Sequence, residues 1–96
     1  MTYDLAFDPR ALKEWKKLGS TIQTQFKKKL AKVLEHPHIE ANRLSGLPDC
    51  YKIKLKASGY RLVYQVQDEV ILVFVLAVGK RERGEAYDDA YNRISK

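Results

Sequence analysis

Cationic residues recur at alternate positions in the middle of the chain. Lys52, Lys54 and Lys56 are separated by single apolar residues, and Arg61 belongs to a second alternating segment that follows shortly after. Alternate residues of a β-strand point to the same face of a sheet, and like charges that face each other destabilise a strand pair. A chain that keeps four cations on one face is therefore expected to bind an anion there. The alternative is an exposed lysine face that binds no ligand.

The two alternating segments, residues 51–56 and 60–66, are predicted to form a β-hairpin around an Ala-Ser-Gly sequence. A four-residue loop gives this hairpin one wholly apolar face, and burial of such a face sets the register strongly. The expected cross-strand pairs are Lys56 with Arg61, Lys54 with Val63, and Lys52 with Gln65. In this register the arginine joins the three lysines on the opposite, cationic face.

Two helices are predicted before the hairpin. Asp8 is a favoured N-cap and Pro9 a favoured first helical residue, and Gly19 is expected to end this helix in the left-handed conformation. Ser20 and Gln23 have the spacing of a capping box, which predicts a second helix that ends before residue 37. The pair reads as a helical hairpin.

The remaining segments predict two more strands and a third helix. Residues 3–7 are short enough for an edge strand, and the unbroken apolar run over 70–78 is typical of a central strand covered on both faces. Helical spacing of apolar residues predicts a last helix over about 82–94. The fold expected is α+β, with the N-terminal helical hairpin packed on a mainly antiparallel four-stranded sheet and a C-terminal helix.

Composition limits the classes of protein that the chain can belong to. Its 96 residues are expected to form a single domain, 1–96, and the formal net charge of +6 suits a polyanionic partner such as nucleic acid. No segment approaches the ~18–20 apolar residues of a membrane span, and no secretory signal is recognised at the N-terminus. We therefore expect a cytoplasmic protein that does not bind membranes.

Other residues with chemical potential carry weaker signals. His36 and His38 have no third ligand near them in sequence and are interpreted as surface residues, so no metal or other cofactor is expected. Cys50 is the only cysteine, and it is interpreted as a packing residue at the start of a strand.

Four segments together resemble a known family: ALKEWKKLGS, LPDCYKIKL, SGYRLVYQV, and VGKRER followed by Tyr87. Through these segments the chain resembles, over essentially its full length, the RelE toxins of bacterial type II toxin–antitoxin systems. The resemblance implies an endoribonuclease that depends on the ribosome and cuts messenger RNA in the A site, thereby inhibiting translation. The functional positions that it implies are Lys52, Lys54, Arg61, Arg81 and Tyr87.

The implied chemistry is attack of a 2′-OH on the adjacent phosphorus, which leaves a 2′,3′-cyclic phosphate. Lys52 and Arg61 can stabilise the charge that develops on phosphorus. Lys54 is the preferred general base, because cationic neighbours disfavour its protonated form, while Tyr87 is the alternative base or a residue that stacks on the RNA. Arg81 is expected to assist the leaving oxygen.

The resemblance also implies partners. They are a RelB-type antitoxin, messenger RNA and the 70S ribosome with its 16S rRNA, whereas operator DNA is contacted only through the antitoxin complex. The antitoxin is expected to disturb the last helix. Further basic residues predicted to contact RNA or the ribosome are Lys13, Lys16, Lys17, Lys27, Lys28, Lys32, Lys56, Lys80 and Arg83. The alternatives are a ParE-type toxin that poisons DNA gyrase and a basic RNA-binding module without catalysis.

Overall fold

One mixed sheet and two helices make up the computed structural model, which describes residues 2–80 together with Ala90 and Arg93. The elements are β1 (Asp4–Phe7), α1 (Pro9–Lys16), α2 (Ser20–Glu35), β2 (Cys50–Lys54), β3 (Tyr60–Gln67) and β4 (Leu72–Lys80), with 3₁₀ turns at Glu40–Asn42 and Asp68–Val70. The strand order is β1-β4-β3-β2; β1 runs parallel to β4, and the other two pairs are antiparallel. The predicted α+β class and mainly antiparallel four-stranded sheet are confirmed. No helix in this described part is long and apolar enough to cross a membrane.

The strand predicted to be central, β4, does lie between β1 and β3, but its limits differ from the prediction. The strand starts only at Leu72, because Val70 belongs to a 3₁₀ turn and is 62% exposed. Ile71 has a left-handed backbone (φ 53°), which turns the chain into the strand. The strand also extends two residues beyond the predicted apolar run, to Lys80, and Gly79 pairs with Arg61 in the ladder.

Both faces of the sheet are covered by apolar residues. On one face Ala11 of α1 and Phe26, Leu30 and Val33 of α2 pack against Tyr64 and its neighbours. A smaller cluster on the other face contains Leu47, Cys50, Val63, Leu76, Ala77 and Ala90. Ala90 and Arg93 have helical backbones, and the rest of the helix predicted over 82–94 lies outside the described residues.

The connection between the helices differs from the prediction in its capping. Asp8 is the N-cap of α1 as predicted, and its carboxylate accepts from the Arg10 N–H at 2.9 Å. Gly19, however, is the N-cap of α2 and has an ordinary φ of −65°, so neither the left-handed terminator nor the Ser20 capping box forms. The segment between the end of α1 at Lys16 and the start of α2 at Ser20 is too short to contain both a glycine terminator and a separate capping box. The Gln23 side chain instead donates to the carbonyls of Trp15 and Leu18 at the end of α1.

Candidate functional site

The hairpin holds the predicted cations on one face, but its register is shifted by two residues. Lys54 pairs with Arg61, where Lys56 was expected, and Lys52 pairs with Val63. The reason lies in the turn: Gly59 takes its last, left-handed position (φ 76°), and the Leu55 N–H donates to the Tyr60 carbonyl at 2.9 Å. A shift of two residues preserves the alternation of faces. The predicted register is therefore wrong, but the prediction that Lys52, Lys54 and Arg61 share one face of the hairpin is correct.

Lys56 consequently lies in the turn and not in a strand. It remains close to the strand cations, because Lys54, Lys56 and Arg61 line a common depression of about 270 Å³. The cationic site of the hairpin thus consists of Lys52, Lys54 and Arg61 from the strands and Lys56 from the turn. Side chains of this type form charge-assisted hydrogen bonds to phosphate oxygens.

The same face of the sheet becomes apolar away from the turn. Cys50, Val63 and Ala77 are fully buried there together with Ala90. Burial raises the pKa of the Cys50 thiol to about 12, so the thiolate needed by a nucleophile is disfavoured. The interpretation of Cys50 as a packing residue at the start of a strand is confirmed. The cationic site is therefore bordered by a covered apolar cluster, and the charged side chains are the groups that can contact the backbone of RNA.

Lysines of α2 extend the cationic site beyond the hairpin. Two adjoining depressions of about 430 and 530 Å³ separate α2 from β2 and its turn. The lysines that line them, called here the lysine groove, are Lys28, Lys29, Lys32, Lys52, Lys54 and Lys56. Of the three from α2, Lys29 was absent from the predicted RNA-contacting set. The spacing 25, 28, 29, 32 is that of one helical face, and this spacing could have identified it.

Among the described residues, the other predicted basic side chains do not line the groove. Lys13 and Lys16 are exposed on α1, and Lys17 follows that helix. Lys27 is exposed on α2, while the ammonium of Lys80 lies 5.4 Å from the centroid of the Tyr60 ring. The remaining three predicted site residues lie outside the described part of the chain: Arg81, Arg83 and Tyr87.

The histidine at position 38 belongs to a separate hydrogen-bond network. His38 contacts the Tyr51 hydroxyl at 2.9 Å and Asp68 at 2.9 Å, and the Tyr3 hydroxyl donates to the same carboxylate at 2.6 Å. The Tyr3 hydroxyl and then the His38 ring hold the pKa of Asp68 below its usual value, whereas burial raises that of Tyr51. The network joins the start of the chain to the sheet. Both histidines are exposed, as predicted.

Comparisons with known proteins point to one family. Residues 5–84 match the ParE toxin of the type II toxin–antitoxin system parDE. The chain is 68% identical to the mRNA interferase toxin RelE of Escherichia coli strain K12 over 94 residues, 98% of this chain and 99% of that protein. A mutant of E. coli RelE in the free state superposes with a TM-score of 0.91 at 66% identity, over 98% of this chain and 99% of that one. A chain of the intact E. coli RelBE complex gives 0.82 at 70% identity, over 84% and 99%.

Proposed function

Because the chain belongs to the ParE toxin family, and within it to the RelE toxins, we propose that it is a type II toxin that cleaves messenger RNA on the ribosome. The observation that carries the proposal is the meeting of Lys52, Lys54 and Arg61 on one face of the hairpin, in a chain 68% identical to an mRNA interferase. The family model that the chain matches is that of the ParE toxin, the class named in the gyrase alternative. Poisoning of gyrase is nevertheless disfavoured, because the near relative is an interferase.

The proposed reaction needs no group that the chain lacks. Arg61 offers a planar set of donors to the phosphate that gains charge, and Lys52 adds a second cation. Lys54, which pairs with Arg61, is proposed to remove the 2′ proton. Tyr87 remains the alternative base, and Arg81 is proposed to assist the leaving oxygen. Protein groups that are poorly matched as acid and base make a weak enzyme, so we assign the positioning of the RNA to the ribosome, in the A site.

The lysine groove is proposed to bind the backbone of RNA, either messenger or 16S rRNA. Its six lysines come from α2 on one side and from β2 with its turn on the other, two parts of the chain that are distant in sequence. Lysines that neutralise phosphates supply affinity that does not depend on sequence. The basic residues of α1 and Lys80 are proposed to contact the ribosome outside the groove.

The proposed antitoxin is a RelB-type chain that binds this basic surface and disturbs the last helix. A helix of about three turns is marginal without packing, so a competing amphipathic segment can displace it. Hydrogen exchange over residues 82–94 should rise when the antitoxin binds. Unchanged protection would instead indicate that the antitoxin excludes the toxin from the ribosome sterically. We further propose that residues 1–96 act as one cytoplasmic toxin domain with a helical hairpin, and that operator DNA is bound only through the antitoxin.

The deciding experiment compares three substrates with one protein sample. Purified chain is incubated with programmed ribosomes, with the same messenger RNA alone, and with gyrase and supercoiled DNA. Cleavage at codons in the A site of ribosomes alone, leaving a 2′,3′-cyclic phosphate, is the expected result. Equal cutting of naked RNA, or trapped DNA breaks with gyrase, would contradict the proposal. Titration of magnesium against ribosome integrity tests separately whether the chemical step needs a metal.

A further inference from the structure

The outer edge of β4 changes its partner midway along the strand. β1 accompanies β4 only as far as Val75, whose carbonyl accepts from the Asp8 N–H at 2.8 Å before the chain enters α1. The ladder to β3 shifts at the same level, because Val63 pairs with Ala77 and Tyr64 with Val75. Leu76 is therefore the extra residue of a β-bulge, which reverses the side to which the following backbone groups point.

Two side chains take the place of a strand at this edge. The carboxylate of Glu14 in α1 accepts from the Val78 N–H at 3.2 Å, and the guanidinium of Arg93 donates to the Leu76 carbonyl. The same two side chains bond each other, with Nη1 to Oε1 at 3.0 Å and Nη2 to Oε2 at 3.4 Å. The Arg93 side chain is only 9% exposed and that of Glu14 28%. This two-pronged, largely buried geometry orients both partners strictly.

The pair lies next to the cationic site through the sheet ladder. Val78 pairs with Leu62, and Gly79 pairs with Arg61. Thirteen residues after Lys80, Arg93 returns the chain to the same edge of β4, and Ala90 is buried with Val63 on the cationic face. The intervening sequence contains Arg81 and Tyr87. Contacts at Ala90 and Arg93 therefore anchor the chain at these two positions against the sheet, beside the cationic face.

We propose that Glu14 and Arg93 are positioning residues for RNA cleavage: their ion pair completes the edge of β4 and anchors the chain at Arg93 beside the strand that pairs with Arg61. The inference rests on the proposed function and concerns the same site. Neither residue is assigned a contact with RNA. Small displacements of reacting groups can cost ~10²-fold in rate, so loss of the pair should lower kcat by roughly 10- to 100-fold and leave KM for ribosomes unchanged.

The test uses the full chain, four variants of the ion pair and one control variant. Arg93→Met and Glu14→Gln each break the pair, and the double variant breaks it without leaving a buried charge unpaired. Arg93→Lys keeps the charge and loses the two-pronged geometry, so it should recover only part of the rate. The matched control is Arg43→Met, which breaks an exposed ion pair to Glu40 of 3.5 Å. Steady-state cleavage on programmed ribosomes gives kcat and KM, and hydrogen exchange of the free protein follows residues 81–92.

The expected result is a lower kcat and faster exchange over 81–92 in the double variant, with the exchange of β2 and β3 unchanged and the control like the parent. A double variant that keeps the parental kcat, or that changes only KM, overturns the proposal. If Arg93→Met and Glu14→Gln do not fold, the double variant and Arg93→Lys decide. A parent chain that cuts no RNA on ribosomes refutes the proposed function itself. In that case hydrogen exchange over 81–92 still tests whether the ion pair anchors the chain. An exchange rate in the double variant equal to that of the parent would overturn the anchoring.

Discussion

The lysine groove makes a quantitative prediction about salt dependence. Replacing Lys28 and Lys32 by methionine keeps most of the aliphatic stem and removes two of the six ammonium groups that line the groove. Binding of single-stranded RNA loses affinity with a slope of about −0.7 in log K against log salt for each phosphate neutralised. Six contacts give a slope of about −4.2, and four give about −2.8.

These slopes differ enough to be measured. Between ~50 and ~200 mM salt the parent should lose roughly 300-fold in affinity and the double variant roughly 50-fold. Fluorescence anisotropy with a short RNA that carries 2′-O-methyl groups throughout reports binding without cleavage. Arg43→Met is the control, since it removes an exposed cation that does not line the groove.

Two outcomes would contradict this prediction. If the Lys28 and Lys32 variant keeps the parental slope, RNA does not follow the groove. A slope that falls equally in Arg43→Met would show that affinity depends on net charge and not on placement. Substituting Lys13 and Lys16 of α1 together should reduce affinity for ribosomes but change this slope less.

Three further predictions concern the site and the fold. Lys54→Ala should lower the single-turnover rate on ribosomes by about 10²- to 10⁴-fold and alter its pH profile, whereas Lys56→Ala should change mainly binding; an unaltered rate and profile in Lys54→Ala, with a rate lost in Tyr87→Phe, would assign the base to the tyrosine. Tyr64→Phe should cost about 1–2 kcal/mol in urea unfolding, because the buried hydroxyl donates to a loop carbonyl at 2.9 Å; a neutral effect would contradict that assignment. The Arg10 guanidinium holds the pKa of Asp8 below its usual value, so the ion pair stabilises the fold above the unfolded pKa of ~3.9 and ceases to do so as pH falls through the folded value; the stability lost in Asp8→Asn should therefore vanish at low pH, and a constant loss would refute it.

Local patterns predicted the elements well and their mutual placement less well. Alternation identified both strands of the hairpin, and one apolar run identified β4, because side-chain periodicity follows directly from strand geometry. The register of the hairpin depends instead on which residue takes the left-handed position of the turn, and an Ala-Ser-Gly sequence is compatible with turns of more than one length. Gly19 was misassigned for a related reason, since a glycine suits both the end of one helix and the start of the next.

The parts of the site that sequence did not reveal all join distant residues. Glu14 and Arg93 are ordinary helix residues until the bulge at Leu76 gives them two backbone groups to satisfy. A bulge of this kind leaves no compositional signal in the strand. The alignment of α2 with β2 across the groove likewise depends on the packing of the first apolar cluster, in which Phe26 and Leu30 set how closely the helix approaches the sheet.

The position of β4 in the sheet also determines when this protein can fold during synthesis. β4 is synthesised after both of its neighbours in the sheet, β1 and β3. Its pairing with β1 joins residues that are far apart in the chain, since Asp4 pairs with Leu72. Until β4 has emerged, β1 has no neighbour and the β2–β3 hairpin is an isolated pair of strands, which is marginal in water. Pairing across so long a stretch of chain is also slow to nucleate. A toxin directed at ribosomes therefore acquires its cationic face only after the ribosome that produces it has made β4.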